Sequence, residues 1–207
     1  MSPLLESLKL KDGIVQNLNY HQERLNRSME ELFPTARKID LAKEISIPEN
    51  CKSGIFKIRV LYGQTIEKIE IEPYVFRSIK SLKVVHHESI DYHLKYTDRQ
   101  ILQKLFAQRA NYDDIIIVKN GLVTDSFAAN LLFLDGEKWL TPASPLLKGT
   151  KRQLLIDSGI VSEKEIREAD IRSYRKVGLI NGCFHVCDHC ICFECNQKVV
   201  PDEQVNK

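Results

Sequence analysis

Apolar and polar residues alternate along the first part of the chain with the period of strands. Leu4 to Val15 reads as a short strand, a turn at Lys11-Asp12-Gly13 and the start of a second strand. From Tyr20 to Phe33 the period lengthens, with Leu25, Met29 and Leu32 at helical spacing until Pro34 stops the helix. A short polar helix is expected around Ile39 to Ile45. Gly54 to Leu61 alternates again, Tyr62-Gly63-Gln64 turns the chain, and Thr65 to Glu72 alternates back before Pro73. This hairpin sets Phe56, Ile58 and Val60 on one face and Lys57, Arg59 and Leu61 on the other.

One more strand, Ser81 to Val85, gives way to a polar stretch that ends at Ser89 and marks a domain junction. A helix from Thr97 to about Ala110 carries Ile101, Leu102, Leu105 and Phe106 on one face, with Thr97 or Asp98 placed to cap its start. The run Asp114-Ile115-Ile116-Ile117-Val118 has the continuous apolar character of a strand buried on both faces. Asn120-Gly121 turns it back, and Leu131 to Leu134 with Trp139 to Thr141 form a hairpin around Asp135-Gly136. After a loop from Pro142 to Leu147, Lys148-Gly149-Thr150-Lys151-Arg152 leads into a helix through Leu154, Leu155 and Ile156 that ends near Gly159.

Composition narrows the class without naming a chemistry. With 207 residues, 43% hydrophobic and 28% charged, the chain is long enough for one large domain or two small ones with a proper core. A net charge of +2 makes no electrostatic case for nucleic acid or an acidic membrane surface. No apolar run approaches the roughly 20 residues of a membrane helix, and the N-terminus lacks the pattern of a secretory signal, so the expected address is the cytoplasm. Five of the six cysteines (Cys183, Cys187, Cys190, Cys192 and Cys195) crowd into one short tail, which is not the framework of a disulfide-stapled secreted fold.

Candidate chemistry gathers in the middle of the chain. The stretch from Lys95 to Asn130 opens on a lysine and closes near Asp125, with a helix and a buried strand between them, so a fold can bring lysine and acid to one pocket. At Gly149-Thr150 a helix start offers backbone N–H groups and a hydroxyl beside the positive end of the helix dipole, a natural phosphate seat. The glycine and lysine spacing there is not that of a P-loop. Arg59 is expected on the solvent face of its hairpin; in a cleft its planar fork would suit a substrate carboxylate. His86, His87 and His93 have neither the helical spacing nor the nearby cysteines of a metal site. The CxxC pairs Cys187/Cys190 and Cys192/Cys195 are separated only by Ile191, shorter than zinc modules allow, so no metal site is assigned and residues 183–207 read as a divergent tail.

Four segments, in order, resemble the class IV aminotransferases, the pyridoxal phosphate enzymes of fold type IV that include branched-chain and D-amino acid aminotransferases and aminodeoxychorismate lyase. They are His21-Gln22-Glu23-Arg24-Leu25, Lys95-Tyr96-Thr97-Asp98-Arg99, Thr124-Asp125-Ser126-Phe127-Ala128-Ala129-Asn130-Leu131 and Leu146-Leu147-Lys148-Gly149-Thr150-Lys151-Arg152. The resemblance runs from about Leu5 to Asn181. It implies that Lys95 is the Schiff-base lysine and general acid/base and that Asp125 meets the ring nitrogen of pyridoxal 5'-phosphate. It further implies that Arg24, Gly149, Thr150 and Lys151 surround the phosphate and that Asn130 belongs to the cofactor site. Arg99, one helical turn beyond Lys95, would be the cation that favours its neutral form.

The resemblance also carries a fold: α/β, with a small N-terminal α/β domain over residues 1–84 and a larger C-terminal domain over 85–207 that has a barrel-like sheet and bears the lysine. A homodimer is implied as well. The reaction implied is transamination of an amino acid, or elimination of pyruvate from 4-amino-4-deoxychorismate; the lysine segment and Ala128-Ala129-Asn130-Leu131 look closer to the lyase. The other class of function is a non-catalytic member kept as a binding or assembly module, with a metal-binding cysteine-rich tail. Many family members carry glutamate where this chain has Asp125, and the shorter acid demands a closer backbone.

Overall fold

The computed structural model describes residues 2–75, 78–183, 190–192 and 199–200, and the chain is mixed α/β. It divides into two compact units, one made of residues 1–76 with Leu94–Asp98, the other of residues 77–93 with 99–207.

In the first unit a four-stranded antiparallel sheet is built on β1 (Leu4–Lys11), which pairs with β2 (Ile14–Val15) on one edge and β3 (Ile55–Tyr62) on the other; β3 continues to β4 (Ile66–Pro73). Asp12 and Gly13, at φ 49° and 77°, form the tight turn between β1 and β2, where positive φ in both central residues matches the twist of the strands. Leu4, Leu8 and Leu10 fall on the buried face of β1, and Ile58, Val60 and Tyr62 on that of β3. Against them lies α1 (Leu18–Leu32) through Leu25 and Met29, with Leu41 of the short α2 (Leu41–Glu44) closing the core. Each of these large apolar side chains contributes about 1.5–3 kcal/mol by leaving water. Tyr62, expected in the turn, is instead the last buried residue of β3, and the turn begins at Gly63.

The second unit holds two sheets. One is β13-β5-β6-β7, in which β5 (Leu82–His86) runs parallel to β6 (Asp114–Lys119) and β7 (Leu122–Val123) turns back on β6; β13 (Val199–Val200) lies along β5. Ile115, Ile116, Ile117 and Val118 are all fully buried, as their continuous apolar run demands. The other is β10-β9-β8-β11-β12, from β8 (Asn130–Asp135), β9 (Lys138–Pro142), β10 (Val161–Lys164), β11 (Lys176–Ile180) and β12 (Cys190–Cys192). Among the described residues these strands form two ladders and not one closed barrel. Helix α4 (Thr150–Asp157) makes the crossover between β9 and β10, which are parallel.

Helix α3 (Gln100–Ala107) starts later than the spacing predicts: Arg99 stands at its N-cap with no capping side chain. The Thr97 hydroxyl donates instead to the carbonyl of Pro3. Cys187 and Cys195, half of the paired cysteines, lie outside the described residues. No helix among the described residues is long and apolar enough to cross a membrane.

Candidate active site

The period of β1 puts a carboxylate where an apolar residue belongs. Glu6 sits in the row Leu4, Glu6, Leu8, Leu10 and is completely buried. Its counterparts come from α1, where His21, Arg24, Leu25 and Ser28 share the buried face at helical spacing. Arg24 donates from Nε to Glu6 Oε1 at 2.8 Å and from Nη2 to Oε2 at 2.5 Å, and His21 Nδ1 lies 2.5 Å from Oε2. Burial would raise the Glu6 pKa, but the Arg24 charge and the hydrogen bonds from Arg24 and His21 outweigh it and hold it at about 2. Burial drives His21 below the usual histidine range, with the Arg24 and Lys95 charges adding to it against the pull of Glu6. Beside an ionised carboxylate a neutral imidazole places its proton on Nδ1, so His21 donates to Glu6. Tyr62 opposes Leu4 in the β1–β3 register, and burial with the Glu6 charge raises its phenol while its hydroxyl bonds Ser28.

The Lys95 segment is laced to the same strand. Leu5 N–H donates to the Lys95 carbonyl at 2.9 Å, Leu4 and Tyr96 form an antiparallel bridge, and Thr97 N–H donates to the Pro3 carbonyl at 2.8 Å. Leu94 enters the apolar core, while Lys95 itself is half-buried and its charge reaches His21. This stretch is not helical, the helix beginning only at Gln100, so the spacing of Lys95 and Arg99 is not that of one helical turn. The Arg99 guanidinium lies 4.2 Å above the Phe127 ring and donates to the Phe127 carbonyl. Arg59 is engaged across the hairpin by Glu70, 3.3 Å from its Nη1, with its side chain about one-third exposed.

In the second unit Asp125 follows β7 and is buried, with 5% exposure. Its Oδ1 accepts from Asn130 Nδ2 at 2.6 Å and its Oδ2 from Leu147 N–H at 2.9 Å. The second Asn130 N–H bond goes to the Leu147 carbonyl at 2.8 Å. One amide therefore ties the acid to the loop before α4. The approach is so close that a Cβ on Gly149 would sit 1.9 Å from Asn130 Oδ1. Burial pushes the Asp125 carboxyl up to about 6, moderated by the Leu147 and Asn130 hydrogen bonds and the Arg152 charge. Helix α4 begins at Gly149 with no side-chain cap, and Thr150, Lys151 and Arg152 are buried. Arg152 donates to the Pro142 carbonyl and to Glu163, while its Nε has no hydrogen-bond partner among the described residues. A cleft of about 530 Å³ on this unit, lined by Val84, Gly121, Arg167, Glu168, Ile171 and Arg172, includes none of the predicted site residues.

Of those residues, Arg24, Arg59 and Lys95 belong to the first unit and Asp125, Asn130, Gly149, Thr150 and Lys151 to the second. Sequence reasoning missed Glu6, His21 and Arg152. The first was findable, because an acid in phase with Leu4, Leu8 and Leu10 has to be buried.

The model of the amino-transferase class IV family matches residues 4–187. The chain belongs to the class IV aminotransferase family. An uncharacterised protein of Haemophilus influenzae is 38% identical over 183 residues, covering 87% of this chain and 97% of that one. A crystal structure from Haemophilus somnus 129pt, described as a candidate 4-amino-4-deoxychorismate lyase, is 32% identical with a TM-score of 0.84 over 88% of this chain and 97% of its own. A hypothetical aminotransferase from Mycobacterium tuberculosis in its PLP-bound form shares the fold at 17% identity, with a TM-score of 0.72 over 88% of this chain and 78% of its own.

Pyridoxal phosphate is the cofactor of this fold. The residues of this family member fit it chemically. Asp125 is an acid raised by burial that has no ion pair among the described residues, the environment in which a protonated ring nitrogen is a welcome partner. The start of α4, without a side-chain cap, has the polarity a phosphate needs.

Proposed function

We propose that the chain is a pyridoxal phosphate enzyme with Lys95 as its reactive lysine, and that it eliminates pyruvate from 4-amino-4-deoxychorismate. The observation that carries the enzyme reading is Asp125, a buried acid whose hydrogen bonds come from the neutral donors Asn130 and Leu147, with its carboxyl pushed up to about 6. The likeness to the Haemophilus somnus protein and the lyase-like segments Lys95–Arg99 and Ala128–Leu131 support the choice of substrate.

Bound pyridoxal phosphate supplies an aldehyde that condenses with amines and a ring that accepts electrons from the substrate's α carbon. By the family resemblance Arg24 would hold the phosphate, as would Gly149, Thr150 and Lys151 through the start of α4. Asp125 would keep a proton on the ring nitrogen through an ionic hydrogen bond. Asn130 fixes the direction of that carboxylate. Lys95 Nζ would take the proton from the carbon that bears the substrate's amine and deliver it to the enolpyruvyl group as its C–O bond to the ring breaks, so that pyruvate leaves and the ring that remains is the aromatic amine. The protein works as a homodimer in the cytoplasm.

The test is a reaction with 4-amino-4-deoxychorismate as the only substrate. A lyase forms pyruvate and 4-aminobenzoate in equal amounts with no keto acid added, whereas a transaminase requires one. Beside it, borohydride reduction with pyridoxal phosphate followed by peptide mapping should label Lys95, and Lys95→Ala should take no label there. An unlabelled wild-type protein would instead support a non-catalytic member that keeps the fold as a binding module.

A further inference from the structure

We propose that Glu6 positions Arg24 to receive the phosphate of the cofactor, an inference that rests on Arg24 being the phosphate arginine. An ionised carboxylate with no exposure, set in the leucine row of β1, is costly unless its partners are excellent. Here they are. Arg24 meets Glu6 along one edge of its guanidinium, Nε to Oε1 at 2.8 Å and Nη2 to Oε2 at 2.5 Å, and His21 braces Oε2 from the same helix at 2.5 Å.

Stability alone does not explain the arrangement, because a buried ion pair is commonly replaced by apolar residues at no loss. Orientation does explain it. A guanidinium has five donors in one rigid plane, and fixing one edge on a carboxylate fixes where the others point. Arg24 is itself only 8% exposed. Without Glu6 it would be a buried cation lacking its counter-charge, and its long side chain would leave for solvent. A phosphate would then have to order it again. His21, neutral and donating through Nδ1, braces Glu6 without adding a second charge. Lys95, whose charge acts on His21, is carried by the neighbouring residue of β1, since Leu5 holds its carbonyl.

The test compares two ligands that differ only in the phosphate. Equilibrium dialysis of the full chain should show that pyridoxal phosphate binds more tightly than pyridoxal. Glu6→Gln should weaken pyridoxal phosphate by about tenfold or more while pyridoxal stays within about twofold. In an Arg24→Gln background, adding Glu6→Gln should bring no further loss of pyridoxal phosphate, the mark of two residues acting as one. Equal losses for both ligands would make Glu6 a general structural residue, unchanged phosphate binding would give it no part in holding the phosphate, and tighter binding would make it a competitor for Arg24; each result overturns the proposal while leaving the reading of Arg24 intact. A wild-type protein with no preference between the ligands overturns both together. Should Glu6→Gln fail to fold, Glu6→Asp keeps the charge but withdraws it from Arg24, and the same selective loss is expected.

Discussion

Asn130 and Gly149 approach each other so closely that the side-chain oxygen of the one occupies the place of a methyl group on the other, 1.9 Å from where a Cβ would stand. The asparagine cannot yield, because its Nδ2 is committed to Asp125 and to the Leu147 carbonyl. Gly149 has φ −70°, an ordinary value, so it is space and not backbone freedom that requires glycine here.

Gly149→Ala should therefore cost about 2–3 kcal/mol by overpacking a site that cannot relax. Asn130→Ala should cost about 2 kcal/mol by stranding a buried carboxylate oxygen and a carbonyl. The double variant should lose clearly less than the sum, since removing the asparagine makes room for the methyl. Urea unfolding of the four proteins checks this. Simple additivity would mean that the two residues do not meet as described.

The pH dependence of stability carries a second signature of this acid. Burial raises the Asp125 carboxyl from 3.8 to about 6, so between those values the folded protein holds a proton that the unfolded chain has released. Stability from this group is thus greatest below 3.8 and is lost as pH rises through 6, by up to about 3 kcal/mol. His21 works against it, because the folded state refuses a proton that the unfolded chain takes below 6.5. Glu6 adds a loss at lower pH, as its carboxylate, held at about 2, is protonated more readily in the unfolded chain below 4.5. The difference between wild type and Asp125→Asn removes both of these. It should shift in favour of the wild type as pH falls from 7 to 4; a flat difference would contradict the raised carboxyl.

Much of the fold could be read from periodicity because the elements are built on it. Ile115 to Val118 is apolar on both faces and buried on both, and Asn120-Gly121, at φ 52° and 75°, turns where its dipeptide says. Val161–Lys164 escaped notice because only Val161 of its four residues is buried, so the segment shows no alternation. Tyr62 was unreadable for another reason. Its hydroxyl is satisfied by Ser28 on a helix distant in sequence, so a residue that belongs equally to a turn and a core was settled by a partner no local pattern shows. At the candidate site the segments proposed to carry the lysine, the acid and the phosphate seat stand out as motifs in the sequence. The charges that surround Arg24 do not, since they depend on which face of β1 meets α1.

Side-chain hydrogen bonds near the start of β1 close the strap that carries Lys95. Thr97 Oγ1 donates to the Pro3 carbonyl at 2.9 Å and lies 3.0 Å from Ser2 Oγ, and Ser2 Oγ in turn accepts from Asp98 N–H at 3.0 Å. These bonds close the strap just beyond the point where Leu5 N–H holds the Lys95 carbonyl. Thr97→Val keeps the shape and the backbone bond to Pro3 but deletes the hydroxyl, at a cost of about 1 kcal/mol. The loss should appear locally, as faster hydrogen exchange at the Leu5 and Thr97 amides with little change at Ile58 or Val60 in the core of the sheet. Because Lys95 then samples more positions, its rate of labelling by pyridoxal phosphate and borohydride should fall while its chemistry is untouched. Exchange that quickens throughout the first unit would show that Thr97 supports the sheet as a whole, and unchanged exchange would show that β1 holds the lysine segment without the hydroxyl.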